Sequence, residues 1–298
     1  MSGATTYFVQ LLVSGVATGS LYALIALGFV LIYKSTGIVN FAQGEAIMLP
    51  AFAAFFLASR LELNVWVACG AAVLLVFLFG LVCERLVLRP MLGEPEFAVV
   101  MITIGLSIFL RAMAGILFGH DNLVFPSPFP QEPVRIGAVV LSHTQLWTMG
   151  VAFALMAAFL VFFQRSRLGL AMRATANDQH TATLMGVRIE RVFALSWGLS
   201  FAIAGVAGIF LANVMVLNVG LTYVAVSAFP AVILGGLESV PGAILGGVAI
   251  GVVESFAGGY LDRLLGGGVK DVTPFAVLFL VLMVRPYGLF GVRKLERV

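Results

Sequence analysis

Charged residues are scarce in this chain of 298 residues: 10% are Asp, Glu, Lys or Arg, whereas 61% are hydrophobic. A soluble domain usually has about 45–50% apolar and about 25% charged residues. So few charges cannot cover a water-exposed surface, and this excludes an ordinary soluble globular protein. The apolar stretches are continuous rather than alternating with polar residues, which disfavours a membrane β-barrel.

Cysteine and histidine are scarce too, with 2 cysteines and 3 histidines. Cys69 and Cys83 fall in one apolar segment and are predicted to be small buried side chains. His120, His143 and His180 stand in separate polar segments without metal-ligand spacing, so no metal site is predicted. The sequence contains no hydrolase or zinc-protease motif and no phosphate-binding Gly-x-x-x-x-Gly-Lys-Ser/Thr. We therefore expect no catalytic residues, no cofactor bound by this chain and no ATP hydrolysis by it.

Apolar runs of about 20 residues, the length that crosses a bilayer as a helix, recur along the chain. They are predicted at about 7–33, 64–83, 97–119, 144–163, 192–217, 243–260 and 273–290, with shorter runs at 46–59 and 222–234. This pattern predicts an all-α polytopic membrane protein with eight or nine transmembrane helices, some of them discontinuous. One transmembrane domain would then cover residues 1–298.

The longest polar interval is residues 165–191, between two of these spans. Its basic residues are Arg165, Arg167, Arg173, Arg188 and Arg191, and its acidic residues are Asp178 and Glu190. Basic loops of membrane proteins lie on the cytoplasmic side. With this loop inside, 12 basic residues fall on the cytoplasmic side and 4 outside, leaving out Arg111. The bias predicts a cytoplasmic loop and C-terminus and accounts for the net charge of +3 without a nucleic-acid partner.

Three polar residues, Asn40, Gln43 and Glu45, stand against apolar flanks with almost no loop around them. Such a cluster predicts a discontinuous helix. The backbone groups that the break leaves free must line a cavity or be covered by protein.

Residues 234–253 are similar to residues 36–55. Each has a glycine, a short polar patch with a glutamate, a second glycine and then an apolar helix of small residues. Transporters are often built from two repeats whose interrupted helices meet at the substrate site. We predict an internal two-fold repeat; the alternative is two glycine-rich turns that are alike by chance. The residues that the repeat would place near a translocation path are Asn40, Gln43, Glu45, Glu238 and Ser239.

Glu254 and Arg111 lie well inside predicted spans, where an ionisable group usually faces a cavity or a partner. Glu254 would line the path, or would be protonated or hydrogen-bonded at a subunit contact. Arg111 is expected to reach towards the interface or to pair with a carboxylate. Gly15-x-x-x-Gly19 and Gly247-x-x-x-Gly251 have the spacing that brings two membrane helices close together, within the chain or across an interface.

The basic loop also resembles the coupling segment of permeases of the branched-chain amino acid ABC transporter family, the LivH/LivM group. The pattern is carried by Arg173, Ala174, Asp178, Ala182, Leu184, Met185, Gly186, Val187, Arg191, Val192, Ala194 and Leu195. Residues 19–45 and the ending 274–291 resemble the LivH side of the group more than the LivM side. Together these segments cover most of the chain.

The resemblance implies a permease subunit, not an enzyme, that forms the path for branched-chain (hydrophobic) amino acids in the bacterial inner membrane. It implies as partners a second, LivM-like permease subunit, two ATP-binding-cassette ATPase subunits that hold ATP and Mg, and an external solute-binding protein. A short surface helix within residues 170–185 would contact the ATPases; the alternative is a solvated loop that only sets topology. The residues expected to couple are Arg173, Ala174, Asp178, Ala182, Leu184, Gly186, Arg188 and Arg191.

Two further functions stay open at this point. The same machine would import urea or short amides if its solute-binding protein selects them. A proton-coupled secondary transporter acting alone would use Glu45, Glu238 and Glu254 as titrating groups.

Overall fold

A computed structural model describes residues 3–130, 132–137, 139–285 and 288–291. The described residues form eleven α-helices and one antiparallel pair of strands. The helices are α1 (Gly3–Thr36), α2 (Gln43–Ser59), α3 (Val65–Cys83), α4 (Glu96–Phe118), α5 (His143–Arg165), α6 (Arg167–Asn177), α7 (Gln179–Leu184), α8 (Ile189–Val214), α9 (Val224–Gly235), α10 (Val240–Leu265) and α11 (Val269–Val284). The strands are β1 (Val134–Ile136) and β2 (Val139–Leu141), with Val134 opposite Leu141.

Six helical segments within the described ranges are long and apolar enough to cross a bilayer. They are Gly3–Thr36, Val65–Met91, Glu96–Phe118, His143–Arg165, Ile189–Val214 and Val240–Leu265. Gln43–Ser59 and Val219–Gly235 are shorter apolar segments, and α11 is a further helix of 16 residues. The prediction of an all-α polytopic membrane protein is confirmed, with the short hairpin of β1 and β2 as a small addition.

The third span continues past the point where the sequence predicts a polar loop. After Cys83 the chain forms a π-helical turn, Glu84–Leu88, and then a 3₁₀ turn, Arg89–Met91. Glu84 is fully buried, and its carboxylate lies 3.2 Å from the guanidinium of Arg89. Because these two charges satisfy each other along the helix, the helix does not have to end where they begin.

Contacts divide the chain into two compact units, and each is described by itself. The first unit contains residues 1–30, 129–154 and 226–298, and the second contains residues 31–128 and 155–225. Three of the four boundaries fall within α1, α5 and α9, and the fourth, between residues 128 and 129, falls between α4 and β1. A single permease domain over residues 1–298 stays a prediction.

In the first unit, α1 and α10 meet along a seam of small residues. Gly251 packs on the backbone of Gly19, and Gly247 packs on that of Ala23, so that neither position has room for a Cβ atom. Gly15 lies against Val252 in the same way. Both Gly-x-x-x-Gly spacings therefore serve contacts within the chain.

In the second unit, α2 and α3 pack against α8. Gly208 of α8 lies on the backbone carbonyl of Ile47, and Gly80 of α3 lies on the backbone of Trp197. These close approaches let Trp197 and Phe201 of α8 be fully enclosed. The packing holds the start of α2 in place, which is where the polar cluster lies.

Candidate functional site: a broken helix and a basic helical segment

The helix break between α1 and α2 is real and lies inside the second unit. α1 ends at Thr36, Gly37 turns the chain with φ 78°, and α2 begins at Gln43. Asn40 shapes the turn because its Oδ1 accepts the amide hydrogen of Ala42 at 3.0 Å. Gly44 approaches the carbonyl of Thr222 closely, so the start of α2 rests on the 3₁₀ turn Val219–Tyr223.

The break lies opposite the middle of α8 rather than opposite one of its ends. The hydroxyl of Ser200 donates to Gln43 Oε1 at 3.1 Å. Ser200 lies eleven residues after Ile189, the first residue of α8, which is about 16 Å along the helix axis. The discontinuous helix predicted from the sequence is thus covered by protein, as the bilayer requires.

Glu45 is fully buried and pairs with Arg111 of α4. The guanidinium Nη2 lies 3.1 Å from Glu45 Oε1, and the pair joins α2 to α4. Arg111 also lies over the ring of Tyr223, with its Cζ 5.0 Å from the ring centroid. The expectation that Arg111 pairs with a carboxylate is confirmed, and the partner that sequence reasoning could not name is Glu45.

Several polar atoms in this cluster are buried without a hydrogen-bond partner among the described residues. They are Asn40 Nδ2, Gln43 Nε2, Glu45 Oε2 and Arg111 Nε. Buried polar atoms are nearly always hydrogen-bonded, so a concentration of exceptions marks a site that can accept a polar ligand or water.

The remaining residues predicted for the path belong to the first unit and do not form one cluster there. Ser239 is the N-cap of α10, accepting the amide hydrogen of Gly242 at 3.1 Å, and Gly236 turns the chain before it with φ 94°. Glu254 lies fifteen residues further along α10, about 22 Å from Ser239. It is buried, with Oε1 3.5 Å from Lys270 Nζ and a hydrogen bond from the Tyr22 hydroxyl. Glu254 thereby ties α10 to α1 and α11.

The segment 165–191 folds into two helices, where the sequence predicts one surface helix within 170–185. α6 starts at a sharp turn, because Gly169 packs on the backbone of Phe162 and Phe163. Asp178 separates the helices: its Oδ1 accepts the amide hydrogen of Thr181 at 2.9 Å and so caps α7. Gly186, with φ 85°, turns the chain after the end of α7.

The predicted coupling residues have different environments. Arg173 donates to the carbonyl of Gln164 at 3.2 Å, Ala174 is half-buried and Ala182 is buried beneath α7. The exposed members are Asp178, Leu184, Gly186, Arg188 and Arg191. Leu184 and Met185 are 74% and 81% exposed, side by side at the end of α7.

The end of the third span is tied to this segment by residues that sequence reasoning missed. Arg89 uses Nη2 for the buried Glu84 and Nη1 for Glu190, which lies 3.1 Å away in the first turn of α8. An open pocket of about 680 Å³ adjoins the link and is lined by Arg89, Thr183 and residues 186–191. The sequence signal for this link is only the presence of opposite charges at positions 84, 89 and 190. Their spacing in sequence does not predict which of them pair.

Several long apolar helices, a helix break between α1 and α2 and a basic helical segment between two spans give the architecture of a polytopic membrane protein, the class that includes membrane permeases. Residues 11–284 match the family described as the permease component of branched-chain amino acid transport systems. The chain belongs to this family, whose members are transport subunits and not enzymes.

Curated relatives agree with this assignment, and a solved structure has a similar fold. The chain is 34% identical over 313 aligned positions to the high-affinity branched-chain amino acid permease protein LivH of Salmonella typhimurium, covering 100% of both chains. It is 34% identical to the corresponding protein BraD of Pseudomonas aeruginosa, covering 98% of each. The fold is similar to a chain of PsaBC from Streptococcus pneumoniae in complex with Fab, with a TM-score of 0.51 and 14% identity over 95% of this chain and 94% of that one.

Proposed function

We propose that this chain is a permease subunit of an ATP-binding-cassette importer and forms part of the path for branched-chain amino acids. Its place is the bacterial inner membrane, with the segment 165–191 and the C-terminus in the cytoplasm. Arg293, Lys294 and Arg297, which contribute to that orientation, lie outside the described residues. The family and the LivH and BraD relatives support the solute class.

The observation that carries the coupling role is the pair of exposed apolar side chains at the end of α7. Leu184 and Met185 stand beside the exposed Arg188 and Arg191 on a polar segment between two spans. Apolar side chains rimmed by polar ones are typical of protein–protein contact sites. In this proposal two ATPase subunits, which hold ATP and Mg, contact this surface, and a LivM-like permease and an external solute-binding protein complete the importer.

The link through Arg89 gives the surface a connection to the membrane. Movement of α7 and the residues after it would be transmitted by Glu190 and Arg89 to the end of the third span. It would also reach the end of α1, because Gln179 Nε2 donates to the carbonyl of Ser35 at 3.5 Å. The path residues in this proposal are Asn40, Gln43, Glu45, Glu238, Ser239 and Glu254.

The deciding experiment is uptake of labelled leucine and labelled urea into proteoliposomes that contain this chain, its partner permease, the ATPases and the solute-binding protein. We expect leucine uptake that requires ATP. Uptake of urea without uptake of leucine would support the ATP-binding-cassette importer but change its proposed solute. Uptake driven by a proton gradient in vesicles without ATP would replace the proposal by a secondary transporter.

The coupling surface is tested by Gly186→Arg and Asp178→Lys in the same system. Each is expected to lower ATP-driven uptake by about tenfold or more, within the usual range of coupling energies, while membrane insertion stays normal. Asp121→Lys makes the same charge change in an exposed loop after α4 and serves as the control. Normal ATPase association and normal uptake in both coupling variants would refute the coupling role.

A further inference from the structure

Arg111 lies within the thickness of the bilayer and yet is not fully enclosed by its own chain. It is fifteen residues into α4, about 22 Å along a helix of 23 residues, and the hydrocarbon core is about 30 Å thick. Its side chain is 35% exposed. A guanidinium facing lipid at this depth is costly, so the exposed part must face a polar path or a partner subunit.

The guanidinium is held at this depth instead of extending to the membrane surface. Nη2 lies 3.1 Å from Glu45 Oε1, and Nη1 lies 3.5 Å from the hydroxyl of Tyr223. The ring of Tyr223 also lies beneath the guanidinium. Two elements outside α4 therefore fix the position of Arg111.

The ion pair leaves bonding capacity on both sides. Glu45 Oε2 and Arg111 Nε have no hydrogen-bond partner among the described residues, although the Ser107 side chain also lies beside the carboxylate. Arginine binds carboxylates with two parallel N–H donors, and a carboxylate is the natural acceptor for an ammonium group. The pair thus offers one acceptor and one donor set to a molecule that carries both charges.

We propose that Glu45 and Arg111 form a site at which a zwitterionic α-amino acid exchanges into their ion pair. The α-carboxylate of the solute takes the guanidinium, and Glu45 accepts the α-ammonium group. The charges of the site and solute sum to zero before and after the exchange, so no net charge enters the low-dielectric region. This inference rests on the proposed function and assigns to it the residues that recognise the amino acid backbone.

An aromatic ring beside the pair suits an apolar side chain on the solute. Tyr223 lies over the guanidinium of Arg111 and is 62% exposed. Phe41, four residues before Glu45 in the sequence and 46% exposed, is a second aromatic residue at the break before α2. Urea carries no charge to exchange and gains little at this site. A solute with a single charge would leave one member of the pair without its counter-ion.

The test uses the complete reconstituted importer with the double variant Glu45→Gln/Arg111→Gln, which removes both charges and keeps two amides that can still hydrogen-bond. We expect ATP hydrolysis stimulated by the leucine-loaded solute-binding protein to persist, while leucine uptake falls by about tenfold, so that more ATP is used per leucine. The double variant Asp121→Asn/Arg135→Gln, which neutralises two exposed residues between α4 and α5, is the control and should leave the ratio unchanged. An unchanged ratio in Glu45→Gln/Arg111→Gln would overturn the proposal, as would equal loss of uptake and ATP hydrolysis, which would make the pair structural.

A second variant and a direct probe cover the case in which the double variant does not assemble. Arg111→Lys keeps the charge and loses the two-donor fork, so we expect a higher leucine concentration for half-maximal uptake with an unchanged maximal ATPase rate. A leucine analogue with a diazirine side chain, activated during turnover, should modify peptides that contain Phe41 or Tyr223. Modification elsewhere, or an unchanged leucine requirement in Arg111→Lys, would refute the site. ATP-dependent leucine uptake by the wild-type importer tests the proposed function by itself. The proposed function would therefore stand even if the Glu45–Arg111 site were refuted.

Discussion

Asp178 is an exposed carboxylate whose pKa is held below its ordinary value by local hydrogen bonds. The backbone amide of Thr181 is the largest cause, followed by the Thr181 hydroxyl. Both donors favour the charged form, which is the form that caps α7. Asp178, which the sequence pattern marks as a predicted coupling residue, is thus the residue that starts α7.

A pH dependence of α7 follows from this lowered pKa. A carboxylate with a depressed pKa in the folded state stabilises that state above its ordinary pKa, and the contribution is lost as the pH falls through the folded pKa. We expect the amides of residues 179–185 to be protected near neutral pH and to lose protection below the ordinary pKa of aspartate. Hydrogen exchange followed by mass spectrometry, at exchange times corrected for pH, measures this.

Asp178→Asn is the matched control, because asparagine caps a helix equally well and does not titrate. Protection of residues 179–185 in this variant should not change over the same pH range. If the variant lost protection at the same pH as the wild-type chain, another group would be responsible.

Helix packing in the second unit depends on positions where no Cβ atom fits. Gly208 of α8 lies on the carbonyl of Ile47 in α2, whereas a Cβ atom placed on Gly105 of α4 would meet no other element among the described residues. Glycine is unfavourable in a helix unless close packing requires it. Close packing therefore requires glycine at position 208 and does not require it at position 105.

The effect of alanine should differ in sign between these positions. Gly208→Ala would push α8 away from α2, at a cost of about 1–3 kcal/mol for overpacking. Gly105→Ala should be neutral or stabilising by roughly 0.5–1 kcal/mol, because alanine is the better helix former. Thermal unfolding in detergent, followed by tryptophan fluorescence, should show a lower Tm for Gly208→Ala alone. Equal Tm values for both variants would mean that α2 and α8 are not in close contact.

At the scale of the whole molecule, the charge bias makes the orientation in the membrane testable. The basic segment 165–191 should lie in the cytoplasm and the loop after α4 outside. Cys69 and Cys83 are free, and Cys83 is buried, so both would first be replaced by alanine.

Single cysteines at two exposed positions then report the two sides. We expect His180→Cys to react with a membrane-impermeant maleimide in inverted vesicles only, and Asp121→Cys to react in intact spheroplasts. The reverse labelling would invert the topology and would also move the proposed ATPase contact to the wrong side. Labelling of both positions from one side would contradict the predicted number of crossings between them.

The sequence by itself determined the class of protein, the positions of most spans and the place of the basic segment between two of them. These properties depend on local composition, because a run of about 20 apolar residues suits the bilayer wherever it packs. The side of the membrane on which the basic segment lies stays a prediction from the charge bias. The break before α2 was also readable, because Asn40, Gln43 and Glu45 interrupt an apolar stretch. The family resemblance was readable from residues 173–195 and from both ends of the chain.

Only the tertiary structure decided which polar residues meet. Glu45 and Arg111 are 66 residues apart in sequence, and Arg89 and Glu190 are about 100 apart, so no local pattern predicts these pairs. The extension of the third span through Glu84 depends on a counter-charge that must be at the right height and angle. The division of the segment 165–191 at Asp178 depends on one side chain that caps a new helix instead of continuing the previous one. A charge inside a membrane is tolerated only with its partner in place, and the packing of helices distant in sequence decides which partner that is.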